Sequence, residues 1–129
     1  LYGAVPEGTA GAEAGGETER GGGVIAFVDD IRRLVKVGAV RGSDHAYGRL
    51  QEKDISYRQL VNSLDAAEVL ERYPDYRHGP CFLARHVMAD GRIAHAVWGL
   101  PRSGEKIAAL VTAYWPDVRE WDDESRKRR

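Results

Sequence analysis

The chain has 129 residues, a net charge of −1 and a single cysteine, Cys81. A chain of that length builds one small layered core, too small for a second domain or a deep cofactor cleft, and the lone cysteine excludes both an intrachain disulfide and a C-x-x-C metal or redox site. Nothing approaches the roughly 18-residue apolar run of a membrane helix, and the N-terminus lacks the basic region and apolar core of a signal peptide, so the expectation is a cytoplasmic protein without a membrane association.

The charge is unevenly spread. Residues 1 to 30 hold six acids and one base, leaving 18 bases against 14 acids in residues 31 to 129, and 15 of the chain's 19 bases are arginine. Arginine's planar fork suits phosphate, so the balance permits an RNA-facing surface without requiring one.

"LYGAVPEGTAGAEAGGETERGGG" carries eight of the 15 glycines and almost nothing large and apolar after Val5. Such a stretch buries too little surface to offset its ordering entropy, and residues 1 to 23 are read as a flexible tail. The domain is then expected over residues 24 to 121. "VIAFVDDIRRLVKVG" sets Val24, Val28, Ile31, Leu34 and Val35 at helical spacing, with Gly38 as the stop.

In "RGSDHAYGRLQEKDI", Ser43 or Asp44 can cap a second helix in which His45 and Arg49, four apart, share a face. "SYRQLVNSL" opens with Ser56 and Gln59 at capping-box spacing and continues as a third. From residue 67 the period changes to two. "AEVLERYP", "CFLARHVM", "RIAHAVWGL" and "KIAALVTAYW" read as strands, joined by Pro74 to Pro80, the Asp90-Gly91 turn and "PRSGE". The predicted fold is α+β, with three N-terminal helices on one face of a four-stranded antiparallel sheet. Residues 122 to 129, ending "SRKRR", read as a solvated charged tail, with Trp121 the last residue able to dock.

"DHAYGRL", "DIS", "EVLERYP", "DGRIAH" and "VTAYWPD" follow one another in the order and spacing of a family of small bacterial proteins. From Ser43 to Trp121 the chain resembles the domain-of-unknown-function family 4258. That resemblance implies a relative of the RelE-, BrnT- and MqsR-type toxins, a RelE-like fold, RNA cleavage, and a cognate antitoxin or other protein partner. The chain departs from the family pattern at Lys53 and Asp54, where Arg-Gly is usual, and in its long acidic N-terminal segment.

Metal-independent RNA cleavage needs a base for the ribose 2′-hydroxyl, an acid for the leaving oxygen and a cation for the phosphate. His45, His95 and Arg49 are the minimum catalytic set. A histidine at a helix start faces the positive end of the macrodipole, which suits a base. Thr112 and Tyr114, sharing a face of the last strand opposite Val111 and Ala113, would support them, and Arg85 and Arg92 would add phosphate contacts. Each has a plainer alternative: His45 as a surface or capping residue, His95 as a hydrogen-bonded core residue, Thr112 and Tyr114 as a half-buried pair, and the arginines as solvated charges. His78 and His86 are read as exposed or structural.

The histidines lack zinc spacing, no carboxylate cluster suggests calcium or magnesium, and no phosphate-binding loop is present, so no metal and no cofactor is expected. The leading expectation is a toxin-type endoribonuclease leaving 2′,3′-cyclic phosphate ends. The rival is a non-catalytic protein-interaction module, for which an exposed apolar patch around Trp98, Trp115 or Trp121 is expected. The two differ geometrically, because one phosphate reaches both His45 and His95 only if they lie on the same side of the sheet.

Overall fold

The computed structural model describes residues 22 to 129, with side chains from residue 27 onward. The segment read as a tail therefore lies, up to residue 21, outside the described residues; Gly22 and Gly23 belong to the first helix.

Helix α1 (Gly22–Lys36) turns Phe27, Val28, Ile31 and Val35 into the core and ends at Gly38, whose φ of 84° and N–H bond to the Val35 carbonyl make the stop. Helix α2 (Asp44–Lys53) is capped by Ser43, whose Oγ accepts from the Ala46 N–H at 3.0 Å, and buries Ala46 and Leu50. Helix α3 (Tyr57–Ser63) is capped by Ser56 Oγ, accepting from Gln59 N–H at 3.2 Å, and runs into a short 3₁₀ turn, Leu64–Ala66. The Gln59 side chain does not close a capping box. Its Oε1 accepts from Ala89 N–H at 2.9 Å, which ties α3 to a hairpin of the sheet.

Five strands follow in chain order as β1 (Val40–Gly42), β2 (Glu68–Tyr73), β3 (Cys81–Val87), β4 (Ile93–Gly99) and β5 (Ala108–Tyr114). Their spatial order is β1-β5-β4-β3-β2. The expectation of four antiparallel strands is thus corrected to a mixed five-stranded sheet, in which β1 runs parallel to β5 with Val40 opposite Ala108 and Gly42 opposite Leu110. Three residues between a glycine turn and a helix cap are too few to show an alternation, so this strand exists through its pairing with β5.

The sheet has two covered faces. On the first, the helices pack Ile31, Ala46, Leu50 and Leu60 against Phe82, Trp98 and Leu110. On the second, Leu83, Val97 and Val111 pack against Trp121. Between β4 and β5 the register slips, Val97 facing Thr112 and Trp98 facing Leu110, which leaves Val111 as the extra residue of a bulge. Cross-strand partners share a face, so Thr112 and Tyr114, opposite Val97 and His95, look to the second face. The bulge brings Val111 to that face as well, rather than opposite Thr112.

The C-terminal segment is not the solvated tail its composition predicts. Trp121 is 1% exposed, and the chain beyond it folds back so that Trp121 bridges Arg128 in antiparallel fashion, with Asp122 N–H donating to the Lys127 carbonyl and Arg129 N–H to that of Glu120, both at 2.8 Å. Charge misled the reading here because the partners, Glu68 and Glu71, lie on β2, far away in sequence. Among the described residues no helix is long and apolar enough to cross a membrane.

Candidate functional site

His45 occupies the first turn of α2, is exposed, and shares a shallow groove with Asp44, Arg49 and Glu52. Arg49 lies half-buried one turn on. This helix packs on the first face of the sheet through Ala46 and Leu50. The groove thus offers one imidazole and one guanidinium flanked by two carboxylates, which oppose a phosphate there.

His95 is on the other side. It points from β4 to the second face, is fully buried, and stacks edge-on with Trp121 (ring centroids 4.5 Å apart) and Tyr114 (5.3 Å). Its Nε2 lies 2.8 Å from the Ser125 carbonyl, which can only accept, so Nε2 carries the proton and donates. Nδ1 is then the acceptor for the Tyr114 hydroxyl at 3.3 Å. Burial pulls the His95 pKa down to about 4, even though the Ser125 carbonyl and Glu71 pull the other way. Both nitrogens of this imidazole are engaged within the protein, and α2 with His45 and Arg49 packs on the other face of the sheet. The proposed catalytic set is therefore not brought together. His95 does meet Tyr114, as the sequence suggested, and Thr112 lies on the same face, fully buried, its Oγ1 without a hydrogen-bond partner among the described residues.

The predicted phosphate contacts are also otherwise engaged. Arg85 Nε donates to the Glu124 carbonyl at 2.8 Å, and its guanidinium lies 3.9 Å from Glu68. Arg92 pairs with Asp90 at 2.9 Å and stacks over Trp115, 4.1 Å from the ring centre. Ion pairs engage other bases too, among them Arg41 with Glu105, Arg119 with Asp117 and Arg126 with Glu68 and Glu124. Part of the arginine excess that permitted an RNA-facing surface is thus paired with neighbouring carboxylates.

His86, read as structural, is part of a buried chain of hydrogen bonds. The Trp98 indole N–H donates to His86 Nε2 at 3.1 Å, so Nδ1 carries the proton and donates to Ser63 Oγ at 2.7 Å, whose own hydroxyl donates to the Gln59 carbonyl at 2.7 Å. His78 sits in the loop beside Tyr76, with Arg77 Nε donating to it at 3.3 Å.

Apart from Tyr114, sequence reasoning missed the partners of His95. Ser125 and Glu71 were not candidates, and Trp121 was read as able to dock but not as a partner of His95, although a tryptophan set in an otherwise charged segment was the available signal. Of the three tryptophans expected to mark an exposed patch, Trp98 and Trp121 are buried and Trp115 is half-buried, its indole N–H donating to the Lys53 carbonyl at 2.8 Å. The large apolar side chains that are exposed, Val37, Tyr47, Val87 and Val118, sit on separate parts of the chain. Among the described residues no cluster of three His, Cys, Asp or Glu side chains is placed to hold a metal ion.

One comparison with known proteins is positive: a family model described as Domain of unknown function (DUF4258) matches residues 43–115. The chain belongs to the DUF4258 family. The matched stretch begins at the Ser43 cap of α2 and ends just past β5, so α1, β1 and the C-terminal segment over the second face lie outside the part this chain shares with the DUF4258 model. No curated protein and no solved structure matches the chain.

Proposed function

We propose that this chain is a non-catalytic protein-interaction module on a RelE-like α+β scaffold rather than a toxin-type endoribonuclease. The observation that carries this reading is the separation of His45 and Arg49, on α2, from His95, sealed beneath the opposite face. Acid, base and phosphate clamp must reach one phosphate together, and general acid–base catalysis needs the groups within hydrogen-bond reach of the atoms they serve. The pairing of Arg92 and Arg126 with carboxylates supports the same reading, since it weakens the local positive field that RNA binding draws on.

The test is incubation of end-labelled RNA with the purified protein in excess EDTA, beside His45→Ala and His95→Ala, with analysis of product ends. The expected result is RNA left equally intact by all three. Cyclic-phosphate ends made by the wild type and lost in both variants would overturn the reading.

A further inference from the structure

The C-terminal segment has the anatomy of a bound ligand. Between Glu120 and Arg129 it closes on itself through its own backbone hydrogen bonds. Toward the sheet it offers an aromatic anchor: Trp121 packs edge-on with His95 and carries the Arg128 guanidinium over its ring, 4.6 Å from the centre. Arg128 then grips Glu71 with two parallel bonds of 2.7 and 2.8 Å, on side chains only 18% and 12% exposed, and Arg126 Nε reaches Glu68 at 2.8 Å. A buried tryptophan flanked by a forked arginine–carboxylate pair is the composition of an interface hot spot.

The face beneath is incompletely served by this occupant. Thr112 Oγ1 is fully buried there without a hydrogen-bond partner among the described residues, a condition a better-matched guest would relieve. The family match ends at residue 115, so the shared domain stops where this covering segment begins. Lifting the segment would uncover Leu83, Val97 and Val111 ringed by Glu68, Glu71 and His95. That supplies the apolar patch that the exposed surface lacks.

We propose that the second face of the sheet is a docking site for a segment of another protein that carries a tryptophan and a nearby arginine, and that residues 117 to 129 occupy it in cis as a competing intramolecular ligand. This rests on the reading of the chain as an interaction module. The acidic pair on β2 sets the charge of the guest, the Trp121 seat sets its anchor, and tethering sets the threshold a guest must exceed. A short link gives the tethered copy an effective concentration of about a millimolar or more, so a free segment of equal quality competes poorly until the tethered one is weakened.

The probe is a fluorescent peptide with the sequence of residues 117 to 129, titrated by anisotropy against the 129-residue chain and against its Trp121→Ala/Arg128→Ala variant, whose folding is checked by circular dichroism and urea unfolding. The expected result is saturable binding to the double variant at least tenfold tighter than to the wild type. That binding should be lost when Glu71→Gln is added or when the peptide itself carries Trp121→Ala. A folded double variant that does not bind the peptide, or that binds no better than the wild type, overturns the proposal. If the double variant does not fold, hydrogen exchange on the wild type decides: peptide well above the effective concentration of about a millimolar should speed exchange of the Asp122 and Arg129 amides while leaving β4 protected, and unchanged exchange there overturns the proposal. A wild-type dimer held by exchanged C-terminal segments would make the guest a second copy and overturn the assignment to another protein. The double variant is also given RNA in EDTA. Cleavage that depends on His95 would defeat the interaction-module reading while leaving the covering segment in place, so the two failures are distinguishable.

Discussion

Trp98 donates its indole N–H to His86 Nε2 at 3.1 Å, and this one bond fixes the direction of a buried chain that passes through Ser63 to the Gln59 carbonyl. It links β4, β3 and α3 on the face where the helices pack, and every polar atom on it is satisfied. Such a network is costly to break, because removing a partner strands the next group in a low-dielectric interior. Ser63 is half-buried at the end of a helix, where an alanine substitution ordinarily changes stability by a few tenths of a kcal/mol. Here Ser63→Ala leaves the His86 Nδ1–H without an acceptor and should cost about 1–3 kcal/mol, read as a lowered urea midpoint at pH 7 with an unchanged slope.

The same burial makes stability depend on acidity. Burial holds both His86 and His95 down to about 4, against an ordinary value of 6.5. Between those two pH values the unfolded chain binds protons that the folded chain refuses, so stability is fully present above about pH 6.5 and is lost as pH falls toward 4. Each histidine contributes on the order of 3 kcal/mol across that window, enough together to remove much of a small domain's stability. Thermal melts at pH 7.5, 6, 5 and 4 should show the midpoint falling modestly over the first step and steeply over the later ones. A flat profile down to pH 4 would mean that neither ring is sealed as described.

Much of the fold was legible because its signals are local. The apolar spacing of Val28, Ile31 and Val35 marked α1, Ser43 and Ser56 marked the starts of α2 and α3, and the period-two runs gave β2 to β5. What was not legible depends on distant partners. Strand β1 is three residues whose existence rests on pairing with β5, and the C-terminal segment is a run of charges whose order rests on Glu68 and Glu71. The site divided along the same line. His45 and Arg49 were correctly placed on one helical face, and His95 with Tyr114 on adjacent strands, but which side of the sheet each group faces is set by packing, and a period-two pattern with apolar residues on both faces does not assign sides.

Cys81 offers a check on the second face. The thiol is fully buried at the start of β3, and burial pushes it up to about 12. A thiol so placed has almost no thiolate at neutral pH and should be inert to an aromatic disulfide reagent in the folded protein, reacting at the rate of a model thiol only in denaturant. If the C-terminal segment opens independently of the domain, the Trp121→Ala/Arg128→Ala variant should label faster than wild type by more than its lowered urea midpoint accounts for. Equal rates would show that the segment does not gate access to this face.

The departure from the family pattern at Asp54 has a conformational explanation. Asp54 takes φ 57° and ψ 51°, the left-handed cap that ends α2, and the next N–H, that of Ile55, returns to the Leu50 carbonyl at 2.9 Å. Leu50 and Ile55 are both buried in the first-face core, completing the hydrophobic contact that accompanies this kind of helix end. Glycine is the residue that adopts such a cap without steric cost, and aspartate is among the few others that tolerate it. The glycine usual in the family and the aspartate here are therefore two solutions to one backbone requirement rather than a change of site chemistry. Asp54→Gly should then keep or raise stability by up to about 1 kcal/mol, whereas Asp54→Val, β-branched and forced to positive φ, should lower it by about 1–2 kcal/mol, both read from urea unfolding. A valine variant as stable as the wild type would show that α2 ends differently in solution.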